Sequence, residues 1–159
     1  VYSRDELRAL AEVLRRHPGV SVLSDEIYSE ISFTGEPAPS LVGVAPDLRH
    51  RVLVVNGVSK SYAMTGWRLG YAAGDPGLIG AINTLQSQTS SCPSSISQAA
   101  AAAALDGPQD FVHDAVAVYR ARRDAAVAGL NAIDGLEPIV PDGAFYLYVD
   151  CSGLIGVGG

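Results

Sequence analysis

Apolar positions recur along this chain in two rhythms, one helical and one strand-like, and their alternation gives a first outline. Leu7, Leu10, Ala11 and Leu14 fall at helical spacing. Ahead of them Ser3-Arg4-Asp5-Glu6 is a capping box, with Tyr2 and Leu7 as a hydrophobic staple. His17-Pro18-Gly19 ends that helix. Residues 20–23, Val-Ser-Val-Leu, are too short and too β-branched for a helix and read as a buried strand. Pro37, Pro39 and Pro46 mark residues 36–46 as a surface loop. Residues 51–55 read as a second buried strand and 71–74 as a short third. Asp75-Pro76 opens the next helix, with the aspartate as cap and the proline in the first turn. Its apolar face is Leu78, Ile79, Ile82 and Leu85. Residues 90–95 break it, and a closely packed alanine-rich helix follows Ser97-Gln98. A long helix over 108–133 carries Arg120, Arg122 and Arg123. Strand signals at 139–141 and 144–149 then flank a turn at Asp142-Gly143.

Helix, strand, loop, strand and helix in that order predict an α/β fold, with a mostly parallel sheet and flanking helices. The closing section predicts the start of a smaller α+β unit. The expected division is the C-terminal part of a large domain over 1–107, a linking helix over 108–133 and the truncated start of a small C-terminal domain over 134–159. With 159 residues and 48% hydrophobic composition, the chain has enough material for a sizeable core and is not a disordered segment. No apolar run is long enough for a membrane helix. A net charge of -6 argues against nucleic acid as a partner, because phosphate binding needs clustered cations. The two cysteines, Cys92 and Cys151, have no metal or redox spacing, so free thiols and a cytoplasmic setting are expected. Val1 is neither an initiator methionine nor part of a signal sequence, and the tail from Leu154 to Gly159 lacks a closing element. A piece of a longer chain is the expectation.

In an open α/β sheet, ligands bind beyond the carboxyl ends of the strands. One such end delivers Ser24-Asp25-Glu26-Ile27-Tyr28 and the other Ser59-Lys60, with Arg68 a short loop away. Singly, each has an ordinary reading: a solvated lysine, an aspartate capping a turn, a core tyrosine, a surface arginine. Together, a carboxylate, a phenol, an amine and a guanidinium suit pyridoxal phosphate. Lys60 would be the Schiff-base nucleophile and proton shuttle. Asp25 would hold the pyridine nitrogen protonated. Tyr28 would donate to the ring oxygen, and Arg68 with Ser59 would grip the phosphate. No metal site is expected.

The order Asp25-x-x-Tyr28, Ser59-Lys60 and Gly66-Trp67-Arg68-x-Gly70-Tyr71 resembles the class I/II aminotransferases of pyridoxal phosphate fold type I. The stretch "NGVSKSYAMTGWRLGYAAG" is similar to the bacterial aspartate aminotransferases, as are "SDEIY", "LQSQTSSCPSSISQAA" and "GAFYLYVDCSGLIG". The resemblance implies the same roles for Lys60, Asp25, Tyr28, Ser59 and Arg68. It also implies amino acid and 2-oxo acid substrates, with aspartate and 2-oxoglutarate favoured, and a homodimer in which residues 87–95 resemble an interface segment. The family's upstream phosphate-binding turn, ring-stacking aromatic residue, ring-oxygen asparagine and Asn-Pro-x-Gly motif would precede Val1. Its α-carboxylate arginine would follow Gly159, and none of Arg120, Arg122 and Arg123 matches it. The 159 residues alone are therefore expected to be inactive. Other fold type I chemistry (β-lyase, decarboxylase, cyclopropane-forming synthase) would use the same lysine and aspartate. The aminotransferase-like sensing domain of a transcription regulator would keep the lysine without turnover.

Overall fold

Ser3 begins the ordered structure by closing both halves of its capping box. Its hydroxyl accepts from the Glu6 N–H at 3.2 Å, and its own N–H donates to Glu6 Oε2 at 2.7 Å. The computed structural model describes residues 1–156; Val157–Gly159, the last part of the expected small domain, lie outside the described residues. Helix α1, Arg4–Arg16, buries Leu7, Ala11 and Leu14, while Leu10 lies on the flank of that face at 41% exposed. Tyr2, the expected staple partner of Leu7, is 68% exposed. The buried face packs on Leu41, Ala45, Leu48 and Val52.

Those partners correct the reading of 36–46 as a loop. Residues Leu41–Val44 form a short helix, α2, and Pro46–Arg51 a 3-10 helix with the proline in its first turn. The prolines bound helical segments here, and Leu41, Ala45 and Leu48 bury their side chains under α1. Arg51, expected at the start of a strand, instead donates to the carbonyls of Leu14, His17 and Val20 at 2.7–3.0 Å. The Leu14 and His17 carbonyls also accept from the His17 and Val20 N–H groups, so Arg51 adds a second donor that ties the end of α1 to this segment.

The sheet has three strands. Strand β1 (Val22–Asp25) lies parallel to β2 (Val52–Gly57), in register from Val22↔Val52 to Asp25↔Val55. Strand β3 (Gly70–Ala73) runs antiparallel to β2, with Gly57 opposite Gly70. Val22, Val52 and Val54 pack on the core, but the alternate residue Leu23 is 65% exposed, so β1 is buried on one face only. Gly57 is required where strands and turn converge. A Cβ there would fall 3.0 Å from the Leu69 carbonyl oxygen and 3.2 Å from Ile27 Cδ1.

Asp75 caps α3 (Pro76–Thr89), accepting from the N–H groups of Gly77 and Leu78. Helix α4 (Ser95–Asp106) follows the break and buries Ser97 and Ala101, with much of its surface open. Helix α5 is Asp110–Asn131. The closing strands β4 (Glu137–Ile139) and β5 (Tyr148–Asp150) pair antiparallel with Ile139 opposite Tyr148. They do not turn at Asp142-Gly143, as the pattern predicts. That segment instead reaches back to residues 31–33: the Phe33 N–H donates to the Asp142 carbonyl and the Ala144 N–H to that of Ile31, both at 2.7 Å. Gly143 is buried in this clip, where a Cβ would sit 2.6 Å from the Ile31 oxygen. Arg120 and Arg123 extend the junction. Arg120 donates to the Phe33 carbonyl at 2.9 Å, and Arg123 to that of Pro141 at 2.9 Å while lying 4.7 Å over the Phe33 ring.

Candidate active site

Parallel pairing sends the carboxyl ends of β1 and β2 to one edge of the sheet, and antiparallel β3 begins at that same edge. Asp25 is the last residue of β1, and Tyr28 follows in the turn. Ser59 and Lys60 lie just past Gly57, and Arg68 just before Gly70. All five candidate residues are thus gathered at one edge by backbone topology. Asp25 Oδ1 accepts from the Ile27 N–H at 3.2 Å, an Asx turn that folds the chain back toward β2. The Glu26 N–H donates to the Val55 carbonyl at 2.8 Å and fixes the start of that turn against the neighbouring strand.

Tyr28 is the meeting point. Lys60 Nζ stands 5.9 Å from its ring centroid, within the range over which an ammonium is attracted to an aromatic face. Its hydroxyl is 2.7 Å from that of Tyr146. The ring packs edge-on against Phe145 at 5.1 Å and Tyr146 at 5.6 Å, and Phe145 stacks on Tyr119 at 5.3 Å. Burial pushes the Tyr28 phenol up to about 12, and the charge of Asp25 acts in the same direction. It is therefore a protonated phenol at neutral pH.

The loop from Lys60 to Arg68 is held in an uncommon shape. Ala63 and Arg68 both have φ of 53°. Thr65 braces the loop from both sides: its hydroxyl donates to the Ser59 carbonyl at 2.9 Å, and its carbonyl accepts from Arg68 Nη1 at 3.0 Å. Arg68 itself is exposed and Lys60 half-buried. Among the described residues, Asp25, Lys60 and Arg68 have no ion-pair partner within 4.0 Å. Three charges collect at one strand edge without neutralising one another. A cavity of about 210 Å³ opens beside Asp25 and Tyr28, lined also by Ser24, Tyr2 and Gly143; Ser59, Lys60 and Arg68 are not in its wall. Among the described residues no three His, Cys, Asp or Glu side chains gather as metal ligands.

Tyr146 and Phe145 are the site neighbours that residue patterning missed. Read as part of a strand over 144–149, adjacent residues would face opposite sides. Both rings instead contact Tyr28, because β5 begins only at Tyr148. The clue available in sequence was Asp142-Gly143, one residue ahead of the aromatic pair, a signal for irregular backbone.

The chain matches the family described as aminotransferase class I and II over residues 1–155. An aspartate aminotransferase of Rhizobium meliloti (strain 1021) is 53% identical over 155 residues, covering 98% of this chain and 38% of that protein. A probable aspartate/prephenate aminotransferase of Rickettsia bellii is 47% identical, covering 98% and 39%. Among solved structures, the aspartate aminotransferase of Rhizobium meliloti superposes with a TM-score of 0.93 at 52% identity, over 97% of this chain and 38% of that one. An aromatic aminotransferase from Pyrococcus horikoshii gives 0.87 at 32% identity, over 94% and 40%. The chain thus spans 38–39% of the length of these two curated relatives.

Proposed function

The chain belongs to the class I and II aminotransferases, and from that premise we propose that the polypeptide carrying it catalyses pyridoxal phosphate-dependent transamination. The amino donor is aspartate and the acceptor a 2-oxo acid, 2-oxoglutarate in our reading; the names of the similar proteins support the donor.

The donor set fits the cofactor. A carboxylate, an amine and a forked guanidinium stand at one sheet edge without ion-pair partners among the described residues, and a protonated phenol follows the carboxylate in the turn. When bound, pyridoxal phosphate draws electrons from the substrate's α-carbon and carries the amino group from donor to acceptor. Lys60 would hold the cofactor covalently through its amine and, when free, would move the proton at the α-carbon. The Asp25 carboxylate would keep a proton on the ring nitrogen. Tyr28 would donate its hydroxyl hydrogen to the ring oxygen. Arg68 would supply guanidinium donors to the phosphate, and the Ser59 hydroxyl would add one more. The observation that carries this reading is the ammonium of Lys60 over the ring of Tyr28, at the strand edge that ends in Asp25.

We take residues 1–107 as cofactor-binding, 108–133 as the link and 134–159 as the start of a smaller domain. The working form is a homodimer, with residues 87–95 at the interface; exposed Leu85 and Ile96 on either side of that segment support this. A cytoplasmic setting accords with the two free thiols. No described helix is long and apolar enough to cross a membrane.

The test is amino transfer from aspartate to 2-oxoglutarate by the native polypeptide that carries this sequence. Parallel-line ping-pong kinetics and loss of turnover in Lys60→Ala are expected. Pyridoxal phosphate binding without turnover would favour the sensing-domain reading, and elimination or decarboxylation products would favour another chemistry on the same site.

A further inference from the structure

The hydroxyls of Tyr28 and Tyr146 lie 2.7 Å apart although 118 residues separate them in sequence. Tyr146 is 61% exposed, yet its position is fixed by the backbone that carries it. The segment that carries Tyr146 is pinned just upstream by the hydrogen bonds of Asp142 and Ala144 to Phe33 and Ile31, and by Gly143, which has no room for a side chain. The Phe145 and Tyr146 rings, 5.2 Å apart, both bear edge-on on Tyr28. A phenol has one hydrogen to give and two lone pairs to accept with. Were Tyr28 the donor in this pair, it would have no hydrogen left for another acceptor. With Tyr146 as donor, the Tyr28 hydrogen is released to point elsewhere, and accepting a bond makes Tyr28 the stronger donor. Lys60 Nζ, 5.9 Å from the Tyr28 ring centroid, marks the neighbourhood in which a ligand would offer an acceptor.

We propose that Tyr146 is a positioning residue: its hydroxyl donates to Tyr28 Oη and directs the Tyr28 hydrogen toward an acceptor oxygen of the ligand held at Lys60. The segment after α5 thereby sets the hydrogen bonding of a residue on the strand edge. This inference rests on the pyridoxal phosphate reading given above.

Two measurements on the native polypeptide, with Tyr28→Phe, Tyr146→Phe and the double variant, test it. Phenylalanine keeps the ring packing and removes only the hydroxyl. In the first, without cofactor, phenol ionisation is followed by ultraviolet absorbance. Tyr146→Phe is expected to change the titration differently in the wild-type and Tyr28→Phe backgrounds, and equal changes would overturn the pairing. In the second, the pH midpoint of the absorbance of bound pyridoxal phosphate is measured. Tyr146→Phe is expected to shift that midpoint in the same direction as Tyr28→Phe, by roughly 0.4–1 unit, the scale of one neutral hydrogen bond. The double variant should shift no further than Tyr28→Phe alone. A midpoint that Tyr146→Phe leaves in place, or shifts equally without the Tyr28 hydroxyl, overturns the proposal, since loss of packing alone would not move it through Tyr28. Absence of any Lys60-dependent band in the wild type would defeat the cofactor reading and the proposal with it. The first measurement would still show whether the two hydroxyls are paired.

Discussion

Arg68 sits with φ 53° and ψ 49°, in the left-handed region that a side-chain-bearing residue avoids. Holding it there costs about 1–2 kcal/mol, and a glycine would relieve that cost. The chain keeps an arginine instead, and the Thr65 carbonyl binds both its backbone N–H at 3.4 Å and its Nη1 at 3.0 Å. Backbone strain kept at a forked cation on a candidate site edge accords with an anchoring role for its side chain. Arg68→Ala is expected to weaken pyridoxal phosphate binding about 10- to 100-fold, corresponding to about 1.5–3 kcal/mol for a hydrogen bond to a charged group. An absorbance titration of the cofactor checks this, and an unchanged dissociation constant would remove Arg68 from the site. Asp25, Lys60 and Arg68 were legible as a group because strand ends are marked locally by apolar runs and turns. Their convergence then follows from sheet topology. Tyr146 was not legible as a neighbour of Tyr28, because the contact is made by a clip between segments far apart in sequence.

At the scale of elements, that clip joins the segment 31–33 to the segment after α5. Ile31, Ser32 and Phe33 are all buried under it. Gly143→Ala would drive a methyl group to 2.6 Å from the Ile31 oxygen and 2.5 Å from Val1 Cγ2. Val1 can give way but the backbone oxygen cannot, so the expected cost is about 1–3 kcal/mol, the range for overpacking. Hydrogen exchange at the Phe33 and Ala144 amides should accelerate in this variant while the amides in the middle of α1 keep their protection. Uniform loss across both would contradict a local clip. Elements with local determinants were readable in advance. The capping box of α1 and the Asp75-Pro76 start of α3 depend on residues within a turn of one another. Helix α2 was missed because prolines near it outweighed Leu41 and Ala45, whose burial depends on α1. The supposed hairpin turn at Asp142-Gly143 failed for a related reason. Backbone groups that would have closed the turn bond instead to Ile31 and Phe33.

For the whole molecule, one face of the three-stranded sheet is covered by α1 and α2, while Leu23 on the other is 65% exposed. Leu85 and Ile96 are 66% and 71% exposed on the helices that follow. Apolar surface on this scale seeks cover. The 159-residue chain by itself is expected to self-associate and to bind a hydrophobic dye. It should show no aspartate turnover, since it spans only 38% of the aspartate aminotransferase it resembles. A dye-silent monomer, or measurable turnover by this chain, would contradict that expectation.

The central claim is that Lys60 is the residue to which pyridoxal phosphate becomes attached. Incubating the 159-residue chain with excess pyridoxal phosphate, reducing with borohydride and mapping the tagged peptide by mass spectrometry tests it directly. The label is predicted on Lys60, the single lysine of the sequence, and its yield should fall sharply in Asp25→Ala and Arg68→Ala because a built site makes the attachment. Labelling of Lys60 at the same yield in those variants, or a label confined to the amino group of Val1, would contradict it.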